Sequence, residues 1–170
     1  MNIKEKIIEL FKEKDYPPLF IKQIMEVLDV SQKDREILEQ ALEQMVKEGQ
    51  LAVTKKGKYA TPEKLGFLVG RLQGNAKGFG FLIPDNNEEE DVYIAAENME
   101  GAMHNDRVMV RLLPNRGNGM RSREGEVVRI LERANKTVVG LFEKDKHFGF
   151  VIPDDSRIAF DIYIPQEEAK

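Results

Sequence analysis

The sequence has no cysteine among its 170 residues. That removes disulfides, Cys-ligated metals and Cys nucleophiles, and it fits a reducing cytoplasm. No apolar run approaches the roughly 18 residues of a membrane span, so no membrane partner is expected. Met1-Asn2-Ile3-Lys4-Glu5-Lys6 alternates charge where a secretory leader would carry an apolar core. An excess of positive charge is missing too: 26 basic against 30 acidic residues leave a net charge of −4. Proteins that coat nucleic acid are usually basic, so a nucleic-acid site here must be a local patch on an acidic body. No part of the chain is a polybasic tail: residues 1–61 hold 11 basic and 11 acidic side chains, residues 62–132 hold 9 and 12, and residues 133–170 hold 6 and 7.

What the chain does have is an internal repeat. Val69-Gly70, Lys77-Gly78-Phe79-Gly80-Phe81-Leu82-Ile83-Pro84-Asp85 and Asp91-Val92-Tyr93-Ile94 return as Val139-Gly140, Lys146-His147-Phe148-Gly149-Phe150-Val151-Ile152-Pro153-Asp154 and Asp161-Ile162-Tyr163-Ile164. Phe148 follows Phe79 by 69 residues, whereas Gly140 follows Gly70, and Asp161 follows Asp91, by 70. One residue is lost in the first connecting loop and one regained in the second, as in a duplicated structural unit.

The segment before the repeat is helical. Ile3, Ile7, Leu10 and Phe11 stand at helical spacing, and Pro17-Pro18 ends that stretch. Ile21, Ile24, Met25 and Leu28 form a second stripe. Ile37, Leu38, Ala41, Leu42, Met45 and Val46 form a third, with Ser31 as its expected N-cap, Asp34 three residues on, and Gly49 as its C-terminal cap. Leu51-Ala52-Val53 and Lys58-Tyr59-Ala60, joined through Lys55-Lys56-Gly57, read as a hairpin. Three helices and a hairpin in this order describe a winged helix-turn-helix over residues 1–61. After Thr61-Pro62 five short strand candidates follow: Phe67-Leu68-Val69, Phe79 to Ile83, Val92-Tyr93-Ile94, Val108-Met109-Val110 and Val127 to Ile130. They suit a small OB-type barrel over residues 62–133. The fold class expected is therefore α+β and multidomain. In the first copy about 37 residues separate Ile94 from the end of the barrel near Leu131, but only six follow Ile164. Residues 134–170 are accordingly expected to hold the first three strands of a second, incomplete barrel. From this the chain is expected to be an N-terminal fragment of a longer protein.

The repeated string carries the chemistry. Phe79 and Phe81 are two apart in a strand, so both rings project from one face. Tyr93 can stand beside them on the next strand, and Arg71 and Lys77 flank the group with positive charge. Bases stack on such rings at roughly 1–3 kcal/mol each while cations hold the phosphates. An isolated Phe-x-Phe more often packs a β core; Lys-Gly-Phe-Gly-Phe followed by Asp-Val-Tyr-Ile, occurring twice, is a more specific signal. The candidate nucleic-acid-binding residues are Arg71, Lys77, Phe79, Phe81 and Tyr93, then Lys146, His147, Phe148, Phe150 and Tyr163, with Lys55, Lys56 and Lys58 as wing contacts.

These strings resemble the two RNA-binding motifs of cold-shock domains. A winged helix, a cold-shock domain and the start of another together resemble the N-terminal region of the bacterial ribonuclease II/R family, and Ala102-Met103-His104-Asn105-Asp106-Arg107-Val108 and Gly125-Glu126-Val127 match it further. The resemblance implies a processive, hydrolytic 3′→5′ exoribonuclease whose Mg²⁺ belongs to a catalytic domain absent from this chain; no cofactor is expected in these residues. Some positions depart from free-standing cold-shock proteins. Leu72 stands near the place of their stacking Trp, Ala95 and Pro165 stand where they have a His, and His147 replaces Gly78 in the second copy. Fewer rings imply weaker binding per domain.

Other features are read as structural. Glu88-Glu89-Glu90-Asp91 is expected to be a solvated loop, because contiguous carboxylates cannot converge on one ion. His104 and His147 have no nucleophile arrangement around them. Arg116, Arg121 and Arg123 around Gly117-Asn118-Gly119 could contact phosphates, but a solvated loop is the reading preferred. The third helix carries Asp34, Glu36, Glu39, Glu43 and Glu48 against Lys33, Arg35 and Lys47, a balance that opposes insertion beside phosphates. The function expected is therefore capture of single-stranded RNA and its delivery to a catalytic domain. The winged helix would serve structured RNA or a protein partner, and no catalysis is expected in the chain itself. A non-enzymatic RNA chaperone and a winged-helix, DNA-binding transcription regulator are the alternatives.

Overall fold

The computed structural model describes residues 2–12, 16–114 and 123–169, in two compact units, Met1–Leu68 and Val69–Lys170. Arg116, Arg121 and the Gly117-Asn118-Gly119 stretch lie outside the described residues.

In the first unit, helix α1 (Ile3–Lys12) buries Ile7, Leu10 and Phe11, α2 (Ile21–Leu28) buries Ile24 and Met25, and α3 (Arg35–Lys47) buries Leu38, Ala41, Leu42 and Met45. The stripes recur at three- and four-residue steps and meet in one core with Leu19 and Leu51. Fully burying one such leucine contributes about 1.5–3 kcal/mol. The Phe20 N–H donates to the Gln23 side-chain oxygen at 2.9 Å, starting α2. Asp29 (φ 53°) and Gly49 (φ 72°) take left-handed conformations that end α2 and α3.

Two details of α3 differ from expectation. Ser31 precedes a short 3-10 turn, Gln32–Asp34, and its hydroxyl donates to the Asp34 carboxylate at 2.7 Å rather than capping a backbone N–H. Ile37 is 58% exposed; it lies one residue before Leu38, about 100° round the helix, and so falls outside the buried stripe.

Strands β1 (Ala52–Val53) and β2 (Tyr59–Ala60) pair antiparallel. Pro17 and Pro18 keep the preceding chain extended, and Leu19 joins the hairpin: its N–H donates to the Tyr59 carbonyl at 3.0 Å and its carbonyl accepts from the Tyr59 N–H at 2.8 Å.

Strands β3 (Phe67–Gly74), β4 (Gly80–Pro84), β5 (Val92–Ile94), β6 (Arg107–Leu112) and β7 (Glu124–Glu132) close into a barrel in the order β3-β4-β5-β7-β6. The β5–β7 pairing is parallel, Tyr93 opposite Glu124 and Ile94 opposite Gly125. β6 closes on β3 where the Leu72 N–H donates to the Asp106 carbonyl at 2.9 Å and the Asn105 N–H to the Leu72 carbonyl at 2.7 Å. Alternation sends Leu72, Leu82, Val92, Ile94, Val108 and Val110 inward, all fully buried.

Strands β8 (Gly140–Lys144), β9 (Phe148–Pro153) and β10 (Ile162–Pro165) form a three-stranded sheet in the order β10-β9-β8. The repeat is exact in register: Gly70 faces Pro84 as Gly140 faces Pro153, and Phe81 faces Tyr93 as Phe150 faces Tyr163. It also explains the two Val-Gly pairs. A Cβ on Gly70 would lie 2.1 Å from the Ile83 carbonyl oxygen, and one on Gly140 would lie 2.1 Å from that of Ile152. Only glycine lets the two strands come so close.

Candidate nucleic-acid interface

The barrel places Phe79, Phe81 and Tyr93 together on its outer surface. Gln73, Phe81 and Tyr93 face one another across β3, β4 and β5, and cross-strand partners share a face. Phe79, two residues before Phe81, joins them. Ring centroids lie 5.9 Å apart for Phe79–Phe81, 5.6 Å for Phe79–Tyr93 and 5.7 Å for Phe81–Tyr93. None of the three belongs to the core, and Phe81 is 38% exposed. The inner face behind them is filled by Leu72, Leu82, Val92 and Ile94, so the barrel does not need these rings for its interior.

The charges expected beside them are present, each held by a local device. Arg71 lies on the same face of β3 as Gln73, and its Nη1 donates to the Asn105 side chain at 2.8 Å. Lys77 is exposed in the β3–β4 turn, where its N–H donates to the Asn75 side-chain oxygen at 2.9 Å and the Gly78 N–H to the Asn75 carbonyl at 2.9 Å. Gly78 turns the chain with φ 94°, a conformation that strains any other residue.

The second copy repeats the trio. Phe148 and Phe150 stand 6.5 Å apart and Phe148 and Tyr163 5.6 Å apart, with Tyr163 63% exposed. Lys146 and His147 are exposed in the β8–β9 connection. Its charge is weaker, because Leu141 occupies the register position of Arg71.

Lys55, Lys56 and Lys58 belong to the first unit. With Pro17, Pro18 and Leu19 they border an open groove of about 450 Å³, and the Lys58 Nζ lies 5.1 Å from the centroid of the Phe20 ring. On α3 the acidic side chains Glu36, Glu39 and Glu43 are exposed, as is Glu48 just after it, and Arg35 is paired with Glu39 at 2.8 Å. The Glu88 to Asp91 run is exposed except at Glu89, which ion-pairs with Arg123 and so gives one member of each expected solvated loop a partner. Among the described residues no three His, Asp or Glu side chains converge as a metal site.

Sequence reasoning did not find the junction between the barrel and the three-stranded sheet. Asp106 is fully buried, and its carboxylate accepts from the Met103 N–H at 2.9 Å, the Ala134 N–H at 3.0 Å and the Arg133 Nη1 at 3.0 Å. His104 is buried beside it. Its Nδ1 accepts from the Gly74 N–H at 3.1 Å, and its carbonyl accepts from the Asn135 side chain at 3.1 Å. Burial first, then the nearby Arg157, push the His104 pKa below its ordinary 6.5. Asp155 and Arg157 form a two-point ion pair at 2.9 Å, whose hydrogen bonds hold the Asp155 carboxyl at about 2 and raise Arg157. The residues 102–108 string was visible in the sequence, but its contacts reach about 30 positions away and leave no periodicity to read.

No helix among the described residues is long and apolar enough to cross a membrane. The sequence profile of the Ribonuclease B OB domain matches residues 70–130. Ribonuclease R of Vibrio parahaemolyticus is 35% identical over 167 residues, 96% of this chain and 20% of that protein. Ribonuclease R of Escherichia coli is 32% identical over 165 residues, 97% and 20%, and that of Thermotoga maritima 34% over 171 residues, 98% and 23%. The chain thus spans about a fifth of the length of the curated relatives it matches. Among solved structures, yeast Ssd1, described as a pseudonuclease, is similar in fold, with a TM-score of 0.50 at 19% identity over 62% of this chain and 18% of that one. Barrel and profile agree on an OB domain of the Ribonuclease B type over residues 70–130, and across nearly its whole length the chain is similar to a part, about a fifth, of bacterial ribonuclease R.

Proposed function

We propose that this chain is a single-stranded-RNA binding and delivery module of a ribonuclease R-like 3′→5′ exoribonuclease. The observation that carries the reading is the outward-facing trio of rings built twice in the same register, each beside a lysine in the preceding turn. Rings outside a core that is already filled are available to bases, which stack largely without regard to sequence. Arg71 and Lys77 would hold phosphates at the first platform and Lys146 at the second.

The domains correspond, on this reading, to a winged helix over residues 1–61, a cold-shock domain over 62–133 and the beginning of a second over 134–170. Hydrolysis, and the Mg²⁺ it uses, are assigned to a catalytic domain outside this chain; no residue described here is assigned to that ion. The groove at Lys55, Lys56 and Lys58 would take structured RNA or an acidic protein partner. A cytoplasmic setting belongs to the same reading.

The test is affinity for an unstructured oligoribonucleotide after Phe79→Ala and Phe81→Ala, with folding checked by amide spectra. Each ring is expected to contribute roughly 1–3 kcal/mol, so the double variant should bind at least tenfold more weakly. Unchanged affinity in a folded double variant overturns the reading.

A further inference from the structure

One pocket of the second unit has no role in that reading. It holds about 180 Å³ between the barrel and the β9–β10 connection, and is lined by Gly78, Met99, Glu100, Ala102, Arg157 and Phe160 among others. Drug-sized ligands fill about 300–1,000 Å³, so this space suits about one planar ring system. Its position bears on the platform: Gly78, one of its lining residues, is the chain neighbour of Phe79.

Four features fit the walls to a base. Phe160 lines the pocket and is 39% exposed, an aromatic side chain of the kind on which bases stack. Met99 and alanines supply apolar walls, with Ala96 Cβ only 3.3 Å from where a Cβ on Gly78 would stand. Glu100 sits at φ 48° in the left-handed region, which a residue other than glycine, asparagine or aspartate adopts at a cost and which recurs at ligand sites; its carboxylate has no ion pair among the described residues. Arg157 is oriented by Asp155 through Nε and Nη2, leaving Nη1 without a bond among the described residues. In the second copy His147 stands where Gly78 stands in the first.

We propose that this pocket receives one base of the bound strand and prefers guanine. A carboxylate offers two acceptors. Of the four RNA bases only guanine presents two adjacent donors, N1–H and the N2 amino group, on its Watson–Crick edge, and its O6 and N7 accept from an arginine. The pocket would add a local preference to a platform that otherwise reads no sequence. The inference rests on the single-stranded-RNA reading.

The test compares an all-uridine heptamer with its variant carrying one central guanosine, each titrated against the whole chain and against Glu100→Gln and Phe160→Ala. A hydrogen-bonded base pocket discriminates by about 1–3 kcal/mol, so the guanosine RNA should bind roughly fivefold or more tightly, and the ratio should fall toward one in both variants. Glu100→Gln keeps the size of the side chain and replaces one acceptor by a donor, so its ratio reports chemistry rather than folding. Equal affinities for the two RNAs in the unaltered chain, or a ratio that persists in both variants, overturn the proposal. Binding of the heptamer with no guanosine preference leaves the platform reading standing and the pocket refuted. Absence of binding by either RNA refutes both.

Discussion

His104 makes the residue scale concrete. A histidine with two ring nitrogens is commonly suspected of catalysis, yet here the Gly74 N–H donates to Nδ1, which requires that nitrogen to be unprotonated. Burial and the neighbouring Arg157 and Arg71 lower its pKa, against the smaller opposing influence of Asp155. Between the lowered folded value and the ordinary 6.5, the unfolded chain binds a proton that the folded chain refuses. Stability contributed by the neutral ring is therefore complete above about pH 6.5 and is lost as pH falls from there toward the folded value. Asp155, held at about 2, titrates below that window. Thermal melts of the chain should show a falling midpoint from about pH 7 to 5, and His104→Asn, whose side-chain oxygen can still accept from Gly74, should flatten that slope. An unchanged slope would assign the effect elsewhere. Such roles were not legible in the sequence. The rings were, because strand periodicity puts Phe79 and Phe81 on one face whatever the rest of the chain does. His104 and Asp106 depend on partners about 30 positions away, which only the closed barrel brings near.

At the scale of elements, the two copies differ in what covers their inner faces. Leu72, Leu82, Val92 and Ile94 are fully buried, whereas their counterparts Phe142, Val151, Ile162 and Ile164 are partly open, Phe142 to 43%. Val139 and Leu141 on or beside β8 are 75% and 61% exposed. Neither β8 nor β10 has a second neighbour among the described residues, and open edges with uncovered apolar groups exchange with solvent readily or pair with another molecule. Amide hydrogen exchange across a concentration series should therefore be faster at 148–164 than at 79–94 in the monomer. Equal protection in a proven monomer would mean that the three-stranded sheet is stable by itself. The repeat made this asymmetry readable in advance. The strand limits were less so: β3 runs to Gly74 rather than stopping at Val69, because Leu72 and Gly74 are held by cross-barrel bonds and not by their own apolar run. Leu19 joined the hairpin for the same kind of reason, as a single residue positioned by two prolines.

For the whole molecule, charge sets how RNA would be held on the proposed platforms. With 26 basic and 30 acidic residues, the body repels a phosphate backbone, and the attractive charges on the platforms reduce to Arg71, Lys77 and Lys146. Counterion release from single strands gives a slope of about −0.7 per phosphate contact in log affinity against log salt, so a slope near about −2 is expected. Lys77→Ala should reduce its magnitude by about 0.7. A slope of about −4 or steeper would show that further cations, such as Lys55, Lys56 and Lys58, engage the same strand.

The strand order of the barrel has a consequence for the chain as it is made. β3, β4 and β5 are consecutive, but β5 pairs with β7 and β3 with β6, so the barrel cannot close until residues up to Glu132 have left the ribosome. Translation at about 5–20 residues per second leaves roughly 2–8 seconds between the emergence of Ile94 and that of Glu132. During that interval the first copy can be no more than the open three-stranded meander that residues 140–165 display. The second sheet is thus a standing portrait of the nascent barrel, and a chaperone that shields one at the exit tunnel should recognise the same apolar surface on the other.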